Sequence, residues 1–475
     1  MTGRSRLLGL ALAVLAVTAG CTTGGDQQTV VAVTVTVGVS PASPSASASA
    51  APGGTTRPSP TAGPTTPASS PSTRPPASST SPPVKPVPPQ AYATAADVAA
   101  AQKAVAAMTT AERAGAVVMA SSSEVVGTDL VGRLHLGGVI LMGSNGVVDG
   151  TSDGTPEQVA QVTARLQQQN QGGAAPLLIG TDQEYGEVTR LEHGFTSFPG
   201  ASELAAIPDT ATAVTMTERV AAAAAAEMLA VGINVDFAPD ADVLPEEGAS
   251  SIGDRSYGSD PGRVGRLVTA AVTGYQKAGL PATLKHFPGI GSLAADTHEE
   301  LPTLDEGCQQ WAERDRVPMA AGVKAGAALA MTGHVRFPEA GNTERPASVD
   351  KSVVTGLLRG RGQEGCPGLG FTGVTVTDSL QMVPIANRYD SGEAAVAALL
   401  AGQDLLLMPV DPAKAVAGIT AAVKAGTLPE QRLIDAATRV YALRLAVART
   451  KRPSMSVISS PAHQELADEV RSLAG

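Results

Sequence analysis

The sequence predicts an α/β chain whose folded part closes as a (β/α)8 barrel, the TIM barrel. Eight short apolar runs have strand length, helical patterns separate most of them, and polar or ionisable residues recur just after the same end of the runs. In order, the runs are Ala116–Met119, Gly138–Met142, Pro176–Gly180, Ile233–Ala238, Ala282–Phe287, Ala327–Thr332, Val374–Thr377 and Asp404–Met408. Each is nearly continuous in apolar residues, the pattern of strands buried on both faces of a parallel sheet. Helical stretches between them include Glu157–Gln169, Ala211–Ala230, Pro261–Ala278 and Gly392–Ala401. A last amphipathic helix, Glu430–Val447, is expected to cover the final side. Alternation does not prove closure, so an open doubly wound sheet is the alternative. The barrel region spans 92–455, and 456–475 is too short for a second domain.

The chain of 475 residues has a net charge of −10 and only 3% aromatic residues. Nucleic acid is therefore not an expected partner, because binding it wants a basic face and stacking rings. Of three cysteines, Cys308 and Cys366 lie inside the folded region, either as a disulfide or as two separate buried thiols. No cysteine–histidine spacing suggests a structural metal.

Residues 1–21 carry Arg4 and Arg6, then an apolar run from Leu7 to Thr18, then Ala19-Gly20-Cys21. The run is too short to span a bilayer, and small residues before a cysteine have the form of a lipoprotein signal peptide. Cys21 is the expected lipidation site, anchoring the chain to a bacterial cell membrane on its extracytoplasmic side. An ordinary secretory signal with an incidental cysteine is the alternative. Residues 22–91 form a low-complexity linker, almost entirely Ser, Pro, Thr, Ala and Gly from about residue 38, with too little apolar surface to offset chain entropy. Such a linker is expected to be disordered, with a reach of roughly 50 Å if flexible.

Barrel enzymes place chemistry where strands end at the C-terminal face. The residues following the runs are Asn145, Asp182 with Glu184, Asp242, Lys285 with His286, His334, and Asp378. Asp378 ends an apolar strand with no adjacent cation, which suits a carboxylate nucleophile of a retaining glycosidase. A helix N-cap is its alternative. His298 follows Asp296 by two residues, so the carboxylate can orient the imidazole for proton transfer near neutral pH. A surface histidine beside a solvated aspartate is the alternative there. Asp182, Arg190, Arg255, Lys285 and His286 are the candidates for binding sugar hydroxyls. An ion pair such as Arg255 with Asp242 is the structural reading of the same groups.

Several segments carry a family resemblance: Asp182-Gln183-Glu184 to Arg190, Ile252-Gly253-Asp254-Arg255-Ser256-Tyr257-Gly258, Lys285-His286-Phe287-Pro288-Gly289, Asp296-Thr297-His298 and Thr377-Asp378-Ser379-Leu380. With them the chain resembles glycoside hydrolase family 3, and within it the single-domain bacterial β-N-acetylhexosaminidases of cell-wall turnover. The resemblance covers roughly residues 95–450. It implies a retaining exo-β-N-acetylglucosaminidase acting on muropeptides or related carbohydrate, with Asp378 as nucleophile, His298 as acid/base and Asp296 tuning it. It implies neither metal nor cofactor. Another family-3 glycosidase such as a β-glucosidase, or a glycan-binding lipoprotein without turnover, would keep the barrel but not this pairing of roles. Three positions depart from the pattern: Tyr185 for glycine, Glu187 for arginine or a small residue, and Ile290 for histidine.

Overall fold

The computed structural model describes residues 92–143, 154–170, 175–341 and 344–475. The segments expected from sequence to be a signal with Cys21 and a linker, and Asn145, lie outside them. All eight expected strands are present: β1 (Val118–Ser121), β2 (Gly138–Ile140), β3 (Leu178–Thr181), β4 (Val235–Asp236), β5 (Thr283–Phe287), β6 (Leu329–Thr332), β9 (Val374–Thr377) and β10 (Leu406–Leu407). They pair in parallel in two arcs, β10-β1-β2-β3-β4 and β5-β6-β9. Parallel bridges Asp240–Lys285 and Val376–Leu405 join the arcs at both seams, so the ring closes as a TIM-barrel-like fold and the open-sheet alternative fails.

Most strands are shorter than their apolar runs, for local reasons. Ala116 closes the helix Thr110–Ala116, so β1 begins at Val118 rather than at Ala116. Ile233 donates its N–H back to Met228 O at 3.1 Å, so it belongs to the helix exit and β4 starts later. Apolarity marks burial, whereas a strand needs a ladder partner as well.

Side chains from alternating positions fill the interior: Met119, Ile140, Leu178, Val235, Phe237, Leu329, Met331, Val376 and Leu407 form one buried cluster. Gly180 is required there, since a Cβ would come within 2.9 Å of both Phe237 and Val235. A second, larger cluster lies between the ring and its helices. Those helices match expectation within a residue: Pro156–Gln169, Thr210–Ala230, Pro261–Ala278, Ser391–Ala401 and Glu430–Val447. Their starts are encoded locally. Thr155 makes a reciprocal capping box ahead of Pro156, and Asp260 accepts from Gly262 and Arg263 N–H ahead of Pro261.

Two features were not expected. Between β6 and β9 a short hairpin, β7 (Gly362–Gln363) and β8 (Cys366–Pro367), turns at Glu364-Gly365, with Gly365 at φ 80°. Cys366 is fully buried there and forms a disulfide with Cys308, their Cα atoms 4.8 Å apart. The segment read as a tail also folds: helix Pro461–Ala474 buries Leu466, Ala467 and Val470. Its anchor is the buried carboxylate of Glu227, which accepts from Ser459 N at 3.1 Å, His463 Nδ1 at 2.7 Å and Thr196 N at 3.0 Å. No helix among the described residues is long and apolar enough to cross a membrane.

The disulfide joins residues 58 apart, so it removes much freedom from the unfolded chain. Replacing both cysteines by serine should lower unfolding free energy by about 2–4 kcal/mol in urea titration, with the fold retained.

Candidate active site

A cavity of about 530 Å³ opens at the C-terminal end of the strands, and it gathers all eight catalytic and sugar-binding residues expected from sequence. Asp182, Arg190, Arg255, Lys285, His286, Asp296, His298 and Asp378 all line it. Asn145 lies outside the described residues.

Asp378 is presented by the end of β9. Its N–H continues the ladder by donating to Thr332 O at 3.0 Å, and its Oδ1 accepts Ser379 N–H at 2.7 Å. The next helix, Val383–Ala386, starts beyond Met382, so Asp378 is not a helix N-cap. Burial works to raise its pKa, but the nearby imidazoles of His286 and His334 and the Ser379 N–H outweigh it and hold the carboxyl below its usual range. His334 itself is locked: Nε2 donates to Ser379 O and Nδ1 pairs with Ser348 Oγ, both at 2.8 Å. It therefore steadies the turn after Asp378, and burial pushes its own pKa down.

Beneath the cavity sits a network of buried charge drawn from three strand ends. Lys285 Nζ lies 2.5 Å from Glu184 Oε1 and 3.0 Å from Asp182 Oδ1. Arg255 grips Glu184 with two bonds, Nε at 2.8 Å and Nη2 at 3.0 Å. Burial alone would raise the Glu184 pKa, but Lys285 and Arg255 hold it well below the usual carboxylate range. The alternative reading of Arg255 as an ion-pair partner holds, but with Glu184 rather than with Asp242. Asp242 instead takes His286 Nδ1 at 2.7 Å and His286 N at 3.1 Å on one oxygen, and Ile290 N at 2.6 Å on the other. It splints the start of the loop that carries His298. Asp240 lies 3.8 Å from Arg255, and burial beside Asp242 pushes its carboxyl well above its usual pKa.

Asp240, Asp242 and His286 could in principle share a metal ion, their ligand atoms lying within 4.8 Å of one another. Asp242 Oδ2 already accepts two hydrogen bonds and Oδ1 one, and the cation Arg255 stands next to the cluster. The donor set fits hydrogen bonding better than metal ligation.

The loop from Gly291 to Gly307 brings Asp296 and His298 over the mouth. Asp296 Oδ1 accepts from both His298 N and His298 Nδ1 at 2.8 Å. That clamp fixes one ring nitrogen and leaves Nε2 for the cavity. Both side chains are exposed, His298 at 66% and Asp296 at 53%, so the pair belongs to a surface loop and to the cavity at once. One backbone bond ties this loop to the segment after Asp378: Val383 N donates to His298 O at 3.1 Å.

Residues 109–443 match the model of the glycosyl hydrolase family 3 N-terminal domain. The chain belongs to that family. A relative from Pseudoalteromonas piscicida, named beta-hexosaminidase A, is 30% identical over 369 residues, covering 72% of this chain but 59% of its own length. This chain therefore spans less than two thirds of that relative. A beta-hexosaminidase of Tolumonas auensis is 36% identical over 283 residues, 59% of this chain and 78% of that protein. Among solved structures, a family 3 beta-N-acetylglucosaminidase from Paenibacillus sp. superposes with a TM-score of 0.68 at 34% identity, covering 78% of this chain and 69% of that one.

Of the three departures from the family-3 pattern, Glu187 and Ile290 line this cavity and Tyr185 does not. Tyr185 adopts φ 64° and packs edge-on against Phe198, ring centroids 5.4 Å apart. Ile290 is buried in the cavity wall, and Glu187 stands exposed at its rim. Sequence reasoning placed Glu184 at a strand end but missed it as the hub of the charge network, and missed Gln381 in the cavity wall.

Lys285→Met should leave Glu184 and Asp182 with one cation too few and destabilise the protein by about 3 kcal/mol or more in thermal or urea unfolding. Asp378→Asn, which breaks no salt bridge and keeps an acceptor for Ser379 N–H, should cost far less stability than Lys285→Met.

Proposed function

We propose that the chain is a retaining exo-β-N-acetylglucosaminidase that releases terminal non-reducing N-acetylglucosamine from cell-wall muropeptides or related glycans. The observation that carries this reading is the meeting of Asp378 and the Asp296–His298 pair on one cavity, above a network suited to sugar hydroxyls. The names of the relatives, beta-hexosaminidase and beta-N-acetylglucosaminidase, support the same sugar.

In this mechanism the Asp378 carboxylate attacks the anomeric carbon while His298 donates a proton to the departing glycosidic oxygen. The bond to the aglycone breaks as the bond to Asp378 forms, through an oxocarbenium-like transition state. His298, now neutral, then takes a proton from water as that water displaces Asp378, and configuration is retained. Asp296 supports the imidazolium through the Nδ1 bond. Asp182, Arg190, Arg255, Lys285 and His286 orient the sugar, and no step requires a metal or cofactor.

The same reading puts the enzyme outside the cytoplasm, diacylated on Cys21 and held to the cell membrane by its linker. A lipid-anchored chain should partition into detergent, and Cys21→Ala should move it to the aqueous phase. Persistence of the variant in the detergent phase would sink the anchor.

A nitrophenyl substrate panel tests the activity. The N-acetyl-β-glucosaminide should be cleaved in strong preference to the β-glucoside, and the reverse preference would indicate a different family-3 glycosidase. His298→Ala should slow substrates with poor leaving groups far more than activated ones, by about 100-fold or more for the former. Equal losses on both would remove His298 from the acid role.

A further inference from the structure

Gln381 lines the same cavity, three residues beyond Asp378, and neither the mechanism nor the charge network uses it. Its side chain is not free to turn. Nε2 donates to Glu124 Oε1 at 2.8 Å, across 257 residues of sequence. Glu124 lies in the helix Ser122–Val125, directly after β1, and its other oxygen accepts Ser121 N–H at 3.2 Å. A carboxylate accepting on both oxygens can meet the amide only through its NH₂ group. The amide oxygen of Gln381 is then the atom left for the cavity.

We propose that Gln381 is a specificity-determining residue of this site, its amide oxygen oriented by Glu124 to accept a hydrogen bond from an O–H or N–H of the bound sugar. The proposal rests on the glycosidase reading given above and adds a residue to it. Gln381 touches the sugar, and Glu124 is a positioning residue that acts through it.

Burial of Glu124 gives the arrangement a pH dependence. Burial pushes its pKa up to about 7, against the Ser121 and Gln381 hydrogen bonds, and the Asp411 carboxylate pushes it further in the same direction. Asp411, from the loop ahead of the helix Pro412–Ala425, is the charged group acting on Glu124 among the described residues, and it is itself paired with Lys414 at 3.4 Å. Above neutrality Glu124 is ionised and accepts, so the amide oxygen faces the sugar. As pH falls through about 7 the carboxyl takes a proton and one oxygen becomes a donor. The amide can then turn over and offer NH₂ where the sugar requires an acceptor. Sugar affinity should therefore be full above the Glu124 titration and decline below it.

The test is calorimetric binding of N-acetylglucosamine to the full chain at about pH 6 and about pH 8, either side of that titration. One oriented hydrogen bond corresponds to about fivefold to tenfold in affinity between the two protonation states, and about a tenth of the other state persists at each pH, so wild type should bind about threefold to fivefold more tightly at the higher pH. Glu124→Gln keeps the shape of the side chain but cannot titrate, and its affinity should change clearly less than that of wild type between the two values. Gln381→Ala should bind weakly at both, and the double variant should be no weaker than Gln381→Ala alone. A Glu124→Gln protein that keeps the wild-type pH dependence, or a double variant whose loss is the product of the two single losses, would overturn the proposal. Wild type that neither binds the sugar nor cleaves its nitrophenyl glycoside overturns the glycosidase reading itself, a result distinct from either of those.

Discussion

The cavity floor depends on the pairing of Lys285 and Arg255 with Glu184. All three side chains are largely withdrawn from water, where an unpaired charge costs several kcal/mol. Lys285 comes from β5, Glu184 from the turn after β3, and Arg255 from the loop after β4. The ion pairs therefore fix three strand ends relative to one another, at the seam between β4 and β5 that the backbone bonds Asp236 N to Pro281 O, Thr283 N to Ala238 O and Ala241 N to Lys285 O also cross. Asp182, which shares Lys285 but remains partly open to the cavity, is held in place by the same pairs.

A second layer of support works through hydrogen bonds rather than charge. Asp242 gathers His286 and the start of the loop at Ile290, and Gly289, at φ 133°, brings that loop against Asp315 where a side chain would collide. His334 does the same for the turn after Asp378. Both groups were read from sequence as strand-end polar residues. Their work is to aim the neighbours that line the cavity, and their own polar atoms are consumed in doing so.

What could be read in the sequence divides along physical lines. The eight strands and five long helices were legible because burial on both faces, and the 3.6-residue period, are local properties. The cavity residues were legible because a barrel sends every strand end to one place. Partners were not legible: Arg255 could equally have met Asp242 or Glu184, and only the folded spacing chooses. The Gly362–Pro367 hairpin is too short and polar to show a period. The C-terminal helix did carry a signal, with Pro461 at its start and Leu466, Ala467 and Val470 on one face, but its hydrogen-bond partner Glu227 lies more than 200 residues away. The Glu124–Gln381 bond is invisible for the same reason, since nothing in Ser-Ser-Ser-Glu announces a partner in Asp-Ser-Leu-Gln.

The two proposed catalytic groups differ in setting, and the difference follows from their tasks. Asp378 is recessed at the end of a strand, ionised, and fixed by its own backbone. A nucleophile that must hold one distance to an anomeric carbon gains from such rigidity. His298 is mostly exposed on a loop, held by one carboxylate and one backbone bond to Val383. An acid that serves the leaving group must stand where the aglycone leaves, and in an exo-acting pocket that is the solvent side. It also recovers its proton from the water that attacks in the second step, and that water enters from the same open side. The Val383–His298 bond lets the exposed loop keep its register against the nucleophile's own turn. On the proposed mechanism, rigidity is thus concentrated at the nucleophile, and the group that takes its proton back from the attacking water is left at the surface.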